Sequence, residues 1–276
     1  AMHLDGSITD CFDGKADLKR GIIRCVEDPE RRFREDALRM LRALRFSAQL
    51  GFSIEEHTAR AIRENAGLCR LLSRERVCAE AEKTLLAPLP QTLSVMLREG
   101  LLSACGIAGD YDLQALRTVP AEPDVRWAML KVLIPKLDMQ QFRLPSRRVQ
   151  LAETAAAAYR PSYTREALKE LIAASGEDAA RVGAKLSGQE ALLEEILQSG
   201  ECVSLRGLAV NGRDFPALHG KAAGDMLRRL LDYVLLHPEK NNRQTLLRLA
   251  EEWSGNSDAD GHKDVGDVKC QQKDTL

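Results

Sequence analysis

The chain has 276 residues, long enough for two or three compact units with a sizeable buried core. Forty basic residues against 41 acidic ones leave a net charge of −1, so charge as a whole argues neither for nor against a nucleic-acid partner, and only local patches can. Seven cysteines without a CxxC pair argue against a disulfide framework or a zinc site and predict reduced thiols; no apolar leader opens the chain and no run approaches 18 apolar residues, which predicts a cytoplasmic protein with no membrane partner.

The first 26 residues predict a hairpin-like stub with turns at Asp5-Gly6 and Asp13-Gly14, then a short helix. Ile22 to Val26 follows as a strand with no evident partner in the chain. From Pro29 onward the pattern is almost wholly helical. Asp28 suits an N-cap and Pro29 the first helical turn; Leu38, Leu41, Leu44 and Ala48 form one apolar stripe, and Gly51 closes the helix. Ser53 with Glu56 reads as a capping box for the next helix, and Ser73 as the cap of a third that runs to about Leu86. Residues 91–160 continue as short helices punctuated by glycine and proline, and 161–200 predict two more. A last helical unit runs from Val203 to Trp253, and the polar, Gly- and Asp-rich residues from 254 onward predict disorder.

The chemistry-bearing stretch is Asp28 to Phe52, DPERRFREDALRMLRALRFSAQLGF. Asp36 and Arg39 are three apart, so on the helix they share a face. A carboxylate only accepts hydrogen bonds and a guanidinium only donates. Cytosine and adenine each present an amine donor beside a ring-nitrogen acceptor, whereas guanine and uracil present a protonated ring nitrogen and a carbonyl. One Asp–Arg pair can therefore accept C and A and reject G and U, with about 1–3 kcal/mol of discrimination.

This stretch resembles the nucleotide-selecting neck helix of the CCA-adding tRNA nucleotidyltransferases, in the class II nucleotidyltransferase and poly(A) polymerase family. The family's EDxxR motif is matched in full by Glu35-Asp36-Ala37-Leu38-Arg39. The resemblance implies that Asp36 and Arg39 read the base edge, while Glu35 and Arg42 hold the helix or orient Arg39. Ser73 to Glu80, SRERVCAE, resembles the following neck motif and implies that Arg76 and Glu80, at i,i+4, pair to brace the selecting helix. Leu208 to Phe215 resembles the family's tail segment; beyond it Gly220 and Lys221 open a glycine-flanked helix start able to take a phosphate, and with Arg228 and Arg229 they suggest a contact to the tRNA backbone. Arg143, Arg147 and Arg148 read as a solvated basic face.

The implied fold is mainly α: an elongated multi-helix neck, body and tail, with a short β stub left from the catalytic head. The corresponding divisions are 1–27 for the head remnant, 28–90 for the neck, 91–200 for the body, 201–253 for the tail and 254–276 for a disordered C-terminus. The implied substrates are CTP and ATP, and the implied partner is tRNA. Mg²⁺ belongs to the family's head, whose Gly-Ser helix start and DxD carboxylates do not occur together here, so no catalytic or metal-binding residue is assigned and a separate head becomes a candidate partner. Where the family has DPFGG, this chain has Asp10-Cys11-Phe12-Asp13-Gly14. Asp10, Asp13 and Asp17 read as turn and cap residues. A non-catalytic RNA-binding or protein-interaction module on the same scaffold, or the corresponding part of a poly(A) polymerase, is the alternative reading.

Overall fold

The computed structural model describes residues 9–255; the turn expected at Asp5-Gly6 and, from residue 256 onward, the stretch expected to be disordered lie outside the described residues. The described residues divide between Glu195 and Ile196 into two compact units. Both are helical, and the expectation of a mainly α protein with a small β element holds.

In the first unit, α1 (Gly14–Arg20) leads into β1 (Ile22–Ile23), then α2 (Pro29–Glu35), α3 (Leu38–Leu50), β2 (Ser53–Ile54), α4 (Glu56–Asn65) and α5 (Arg74–Leu85). Asp28 caps α2, its carboxylate accepting from the Glu30 and Arg31 N–H groups, with Pro29 in the first turn as expected. Ser73 likewise caps α5 by accepting from Arg76 N. Such caps contribute about 1 kcal/mol each.

Four expectations need correction. The strand at Ile22 is not an orphan: β1 pairs in parallel with β2, Ile22 opposite Ser53 and Ile23 opposite Ile54. The ladder enlists Ser53, whose N–H donates to Gly21 O at 2.9 Å, so Glu55 rather than Ser53 caps α4, accepting from His57 and Thr58 N–H. The helix expected from Pro29 to Gly51 is two helices, because Asp36 is extended (φ −153°, ψ 104°) and interrupts the ladder. Residues 161–200 hold three helices instead of two: α9 (Arg165–Ser175), α10 (Glu177–Ser187) and α11 (Glu190–Gln198). The extra boundary falls at Gly176, whose φ of +83° an L side chain adopts poorly.

The core of this unit is continuous from α2 and α3 through α5 to α6 (Leu93–Arg98), α7 (Pro123–Leu133) and α8 (Ser146–Ala157). Phe33, Met40, Leu41, Leu85, Leu97 and Trp127 are essentially inaccessible, and Trp127 meets Phe142 edge-on with ring centroids 5.1 Å apart. Polar bridges fix the packing of α5, α7 and α8. Glu82 Oε1 accepts from Trp127 Nε1 at 3.2 Å and from an Arg148 Nη at 2.8 Å, while Arg148 Nε donates to Asp124. Arg148 is thus a bridge, not part of a solvated basic face. Arg126, buried, donates to the carbonyls of Leu85, Val119 and Pro120 and closes the C-terminal end of α5.

The second unit is built on α12 (Lys221–Leu236) and α13 (Arg243–Gly255). Leu230, Leu231, Val234, Leu246 and Ala250 supply its buried surface. Asn241 ties the preceding loop to it, accepting from Ala209 N and donating to Gly207 O at 2.9 Å each.

Candidate nucleotide site

The break at Asp36 sets the geometry of the site. Asp36 Oδ1 accepts from Leu38 N at 3.1 Å, so the carboxylate caps the start of α3 while it stands at the end of α2. Arg39, Arg42 and Phe46 then follow at i, i+3 and i+7 on one face of α3. Opposite them runs the segment from Ile23 to Val26. It is pinned to α4 where Cys25 N donates to Thr58 Oγ1 at 3.0 Å, and the same hydroxyl donates to Glu55 Oε2 at 2.9 Å. Glu55 lies 3.6 Å from Arg24, which donates from Nε to Asp17 at 2.8 Å.

Between the two walls lies a cleft of about 370 Å³ lined by Arg32, Asp36, Arg39, Arg42, Phe46 and Thr58 together with Ile23 to Val26. A second compartment of about 480 Å³ opens beyond Ile23 to Val26 and Phe46, and is walled by Phe12, Leu18, Ile22, Leu50 and Phe52. Arginine dominates the charge of the first. Burial pushes the Cys25 thiol up, and the nearby Arg32 and Arg39 pull it back. Arg39 lines the cleft, and its Nε is buried without a hydrogen-bond partner.

Of the residues singled out from sequence, Asp36, Arg39 and Arg42 meet at this cleft. Glu35 does not line it; its carboxylate pairs with Arg31 at 3.4 Å and with Arg32 at 2.7 Å, so it holds a cleft-lining arginine other than Arg39. Arg76 and Glu80 do not pair with each other. Arg76 Nη2 donates to both oxygens of Asp36, and Glu80, buried, lies 2.6 Å from Arg45 Nε on α3. Each thus ties α5 to a different point, Arg76 to Asp36 at the break and Glu80 to Arg45 on α3. Lys221 opens α12 behind Gly220, while Arg228 pairs with Asp225 and Arg229 lies over the Trp253 ring at 4.2 Å. These three belong to the second unit. Sequence reasoning missed Arg32, Phe46 and Thr58. The first stood within the same motif, and the second could have been found by continuing the Arg39–Arg42 face one more turn.

The residues described do not fit a resident Mg²⁺. Among them no three His, Cys, Asp or Glu side chains gather to hold a metal ion. Asp10 accepts from Gly14 and Lys15 N–H at the start of α1, and Asp17 is engaged by Arg24. Asp13 takes a left-handed φ of 54°, the conformation for which the family's glycine at that turn is suited. Asp10 thus serves the turn at the start of α1 as expected, whereas Asp13 makes no side-chain capping hydrogen bond and Asp17, expected as a cap or turn residue, pairs with Arg24 instead. No helix among the described residues is long and apolar enough to cross a membrane.

Residues 51–104 match the family described as the probable RNA and SrmB-binding site of polymerase A. The CCA-adding enzyme of Limosilactobacillus fermentum is 34% identical over 280 residues, spanning 91% of this chain and 68% of that protein. The CCA-adding enzyme of a Geobacillus species is 32% identical, spanning 88% of this chain and 66% of its own length. The Bacillus stearothermophilus CCA-adding enzyme, solved in complex with CTP, superposes with a TM-score of 0.77 at 29% identity, covering 94% of this chain and 72% of that one. The fold is shared also with the Thermotoga maritima CCA-adding enzyme complexed with tRNA, at a TM-score of 0.54 and 17% identity. The chain belongs to the CCA-adding enzyme family, and it spans about two-thirds of the length of these relatives.

Proposed function

We propose that this chain provides the base-selecting and RNA-holding part of a tRNA nucleotidyltransferase that builds the 3′ CCA end. The observation that carries the reading is the convergence of the Asp36 carboxylate and the Arg39 guanidinium on one arginine-rich cleft, with Arg39 Nε buried and unpartnered. Asp36 accepts the exocyclic amine of CTP or ATP, and Arg39 donates to the adjacent ring nitrogen. GTP and UTP put a donor against Arg39 and an acceptor against Asp36, so fixed side chains do the work of a template. Arg42 and Arg32 set a positive field suited to a polyphosphate. Arg76 and Glu80 hold the two halves of the selecting segment. Lys221, Arg228 and Arg229, at and beyond the start of α12, contact the tRNA backbone.

Phosphoryl transfer itself belongs, in this reading, to a nucleotidyltransferase head carrying Mg²⁺-binding carboxylates, which covers the apolar face formed by Phe12, Leu18 and Leu50. The three are 55–65% exposed in the structure, which supports a covering domain. The cytoplasm is where its tRNA and nucleotide substrates meet.

Equilibrium binding tests the proposal. CTP and ATP bind this chain about 5- to 100-fold more tightly than GTP and UTP, and Asp36→Ala removes the preference. Equal affinity for all four nucleotides in the wild-type chain overturns it.

A further inference from the structure

We propose that Phe46 is a stacking seat for an unpaired nucleobase at the end of an RNA strand, distinct from the base read by Asp36 and Arg39. The inference rests on the base-reading proposal above, because it takes the cleft to be a nucleotide site. Phe46 stands where the two compartments meet and lines both. It is 37% exposed, unusual for a phenylalanine in the middle of a packed helix. One face of its ring is already covered by a cation, with the Arg45 guanidinium carbon 4.1 Å from the ring centroid. That guanidinium is itself fixed, by the buried carboxylate of Glu80 at 2.6 Å and by Gln49 Oε1 at 3.0 Å. The ring is therefore held in one orientation and backed by positive charge.

The neighbours favour nucleic acid as the occupant. Arg39 and Arg42 share the ring's helix face and its cleft, and neither has an ion-pair or hydrogen-bond partner among the described residues. Unpaired guanidinium groups interleaved with an aromatic ring are the elements with which proteins hold single strands: charge follows the backbone and the ring takes a base. Phe46 lies seven residues beyond Arg39, about 10 Å along the helix axis. A second base thus fits the ring while the first is read at Asp36 and Arg39, as a reaction joining a nucleotide to an RNA end requires.

The test uses this chain and two ligands, CTP and a tRNA lacking its 3′ CCA whose terminal base is replaced by 2-aminopurine. Stacking quenches 2-aminopurine fluorescence. Binding of the RNA to the wild-type chain is expected to quench it, and Phe46→Trp to preserve the quenching. Phe46→Leu, which keeps apolar volume without an aromatic face, loses the quenching and weakens RNA binding about 5- to 100-fold more than it weakens CTP binding, the range of one base stack. Unchanged quenching and RNA affinity in Phe46→Leu overturn the stacking seat while leaving base selection intact, and show that the ring serves to pack a protein segment. A stacking signal without any preference for CTP over UTP overturns base selection alone. A wild-type chain that binds no RNA overturns this proposal outright.

Discussion

Arg76 Nη2 lies 3.2 and 3.0 Å from the two carboxylate oxygens of Asp36, forty positions earlier in the chain. One nitrogen thus spans both acceptors of the carboxylate that lines the cleft. The pair is half exposed, so its direct contribution to stability is at most about 1 kcal/mol. Its effect is orientation. Arg76→Ala is expected to leave the urea midpoint nearly unchanged and to reduce the preference for CTP over UTP several-fold. A variant that unfolds early yet keeps full preference would assign Arg76 to the scaffold instead.

Arg126 is a buried cation without a carboxylate partner, its guanidinium shared among three carbonyl oxygens at 2.8–3.2 Å. Burial pulls its pKa below the ordinary arginine value. The Leu85 carbonyl it meets belongs to the last turn of α5, where partial negative charge accumulates. Arg126→Met keeps the side-chain volume and leaves those carbonyls unsatisfied. Its cost is about 2–4 kcal/mol, read as a lower midpoint at unchanged slope in urea unfolding.

The thiols divide by environment. Burial pushes Cys69 and Cys78 up to about 12 and Cys105 up to about 11, while Cys11 is exposed. At pH 8 iodoacetamide should label Cys11 within minutes and spare these three until denaturant is added, as peptide mass spectrometry would report. Rapid native labelling of Cys69 would contradict its full burial in the core beside the Ala37 carbonyl.

Acid should loosen the wall of the cleft. The hydrogen bond from Arg24 holds the Asp17 carboxyl below its usual range. For Glu55 burial acts upward, but hydrogen bonds from His57, Thr58 and the Thr58 hydroxyl outweigh it and the net shift is downward. A carboxyl depressed in the folded state stabilises fully above its unfolded pKa of about 4, and that contribution is lost as pH falls through the lower folded value. Asp17→Asn should therefore destabilise the chain at pH 7, and the gap from wild type should close below pH 4. A gap that stayed constant between pH 7 and pH 3 would remove the Asp17–Arg24 pair from the account.

What could be read in advance was local. The Asp28 and Ser73 caps, the leucine stripe of α3 and the glycine stop at Gly51 each depend on neighbours within one or two turns. The break at Asp36 does not. Every residue from Pro29 to Leu50 tolerates a helix, and Asp36 leaves it because its carboxylate gains Leu38 N and, through the fold, Arg76. The β1–β2 pairing was hidden for the same reason, being two residues long, parallel and separated by two helices. Ser53 and Glu55 were both able to cap α4, and only the ladder decides between them. The candidate site was legible as a motif. Its opposite wall, from Arg24 to Val26 and Thr58, was not, because sequence spacing carries no trace of a contact across 33 positions.

The bridge between Ile22 and Ser53 closes the chain into a loop that contains α2 and α3. Such a closure costs entropy, offset by the two-residue ladder, the Cys25–Thr58 hydrogen bond, the Arg24 ion pairs and the partial burial of Ile23, Cys25 and Ile54 against the core in which α3 is fully anchored. The outer wall is less deeply buried than α3 and is expected to open in native fluctuations at a free energy below that of global unfolding. In amide hydrogen exchange its amides are expected to exchange faster than those of α3, and equal protection would join the wall to the core unit. On the proposed reading, a nucleotide enters and leaves past this thinly held wall, while Arg39 and Arg42 stay on a helix anchored in the core.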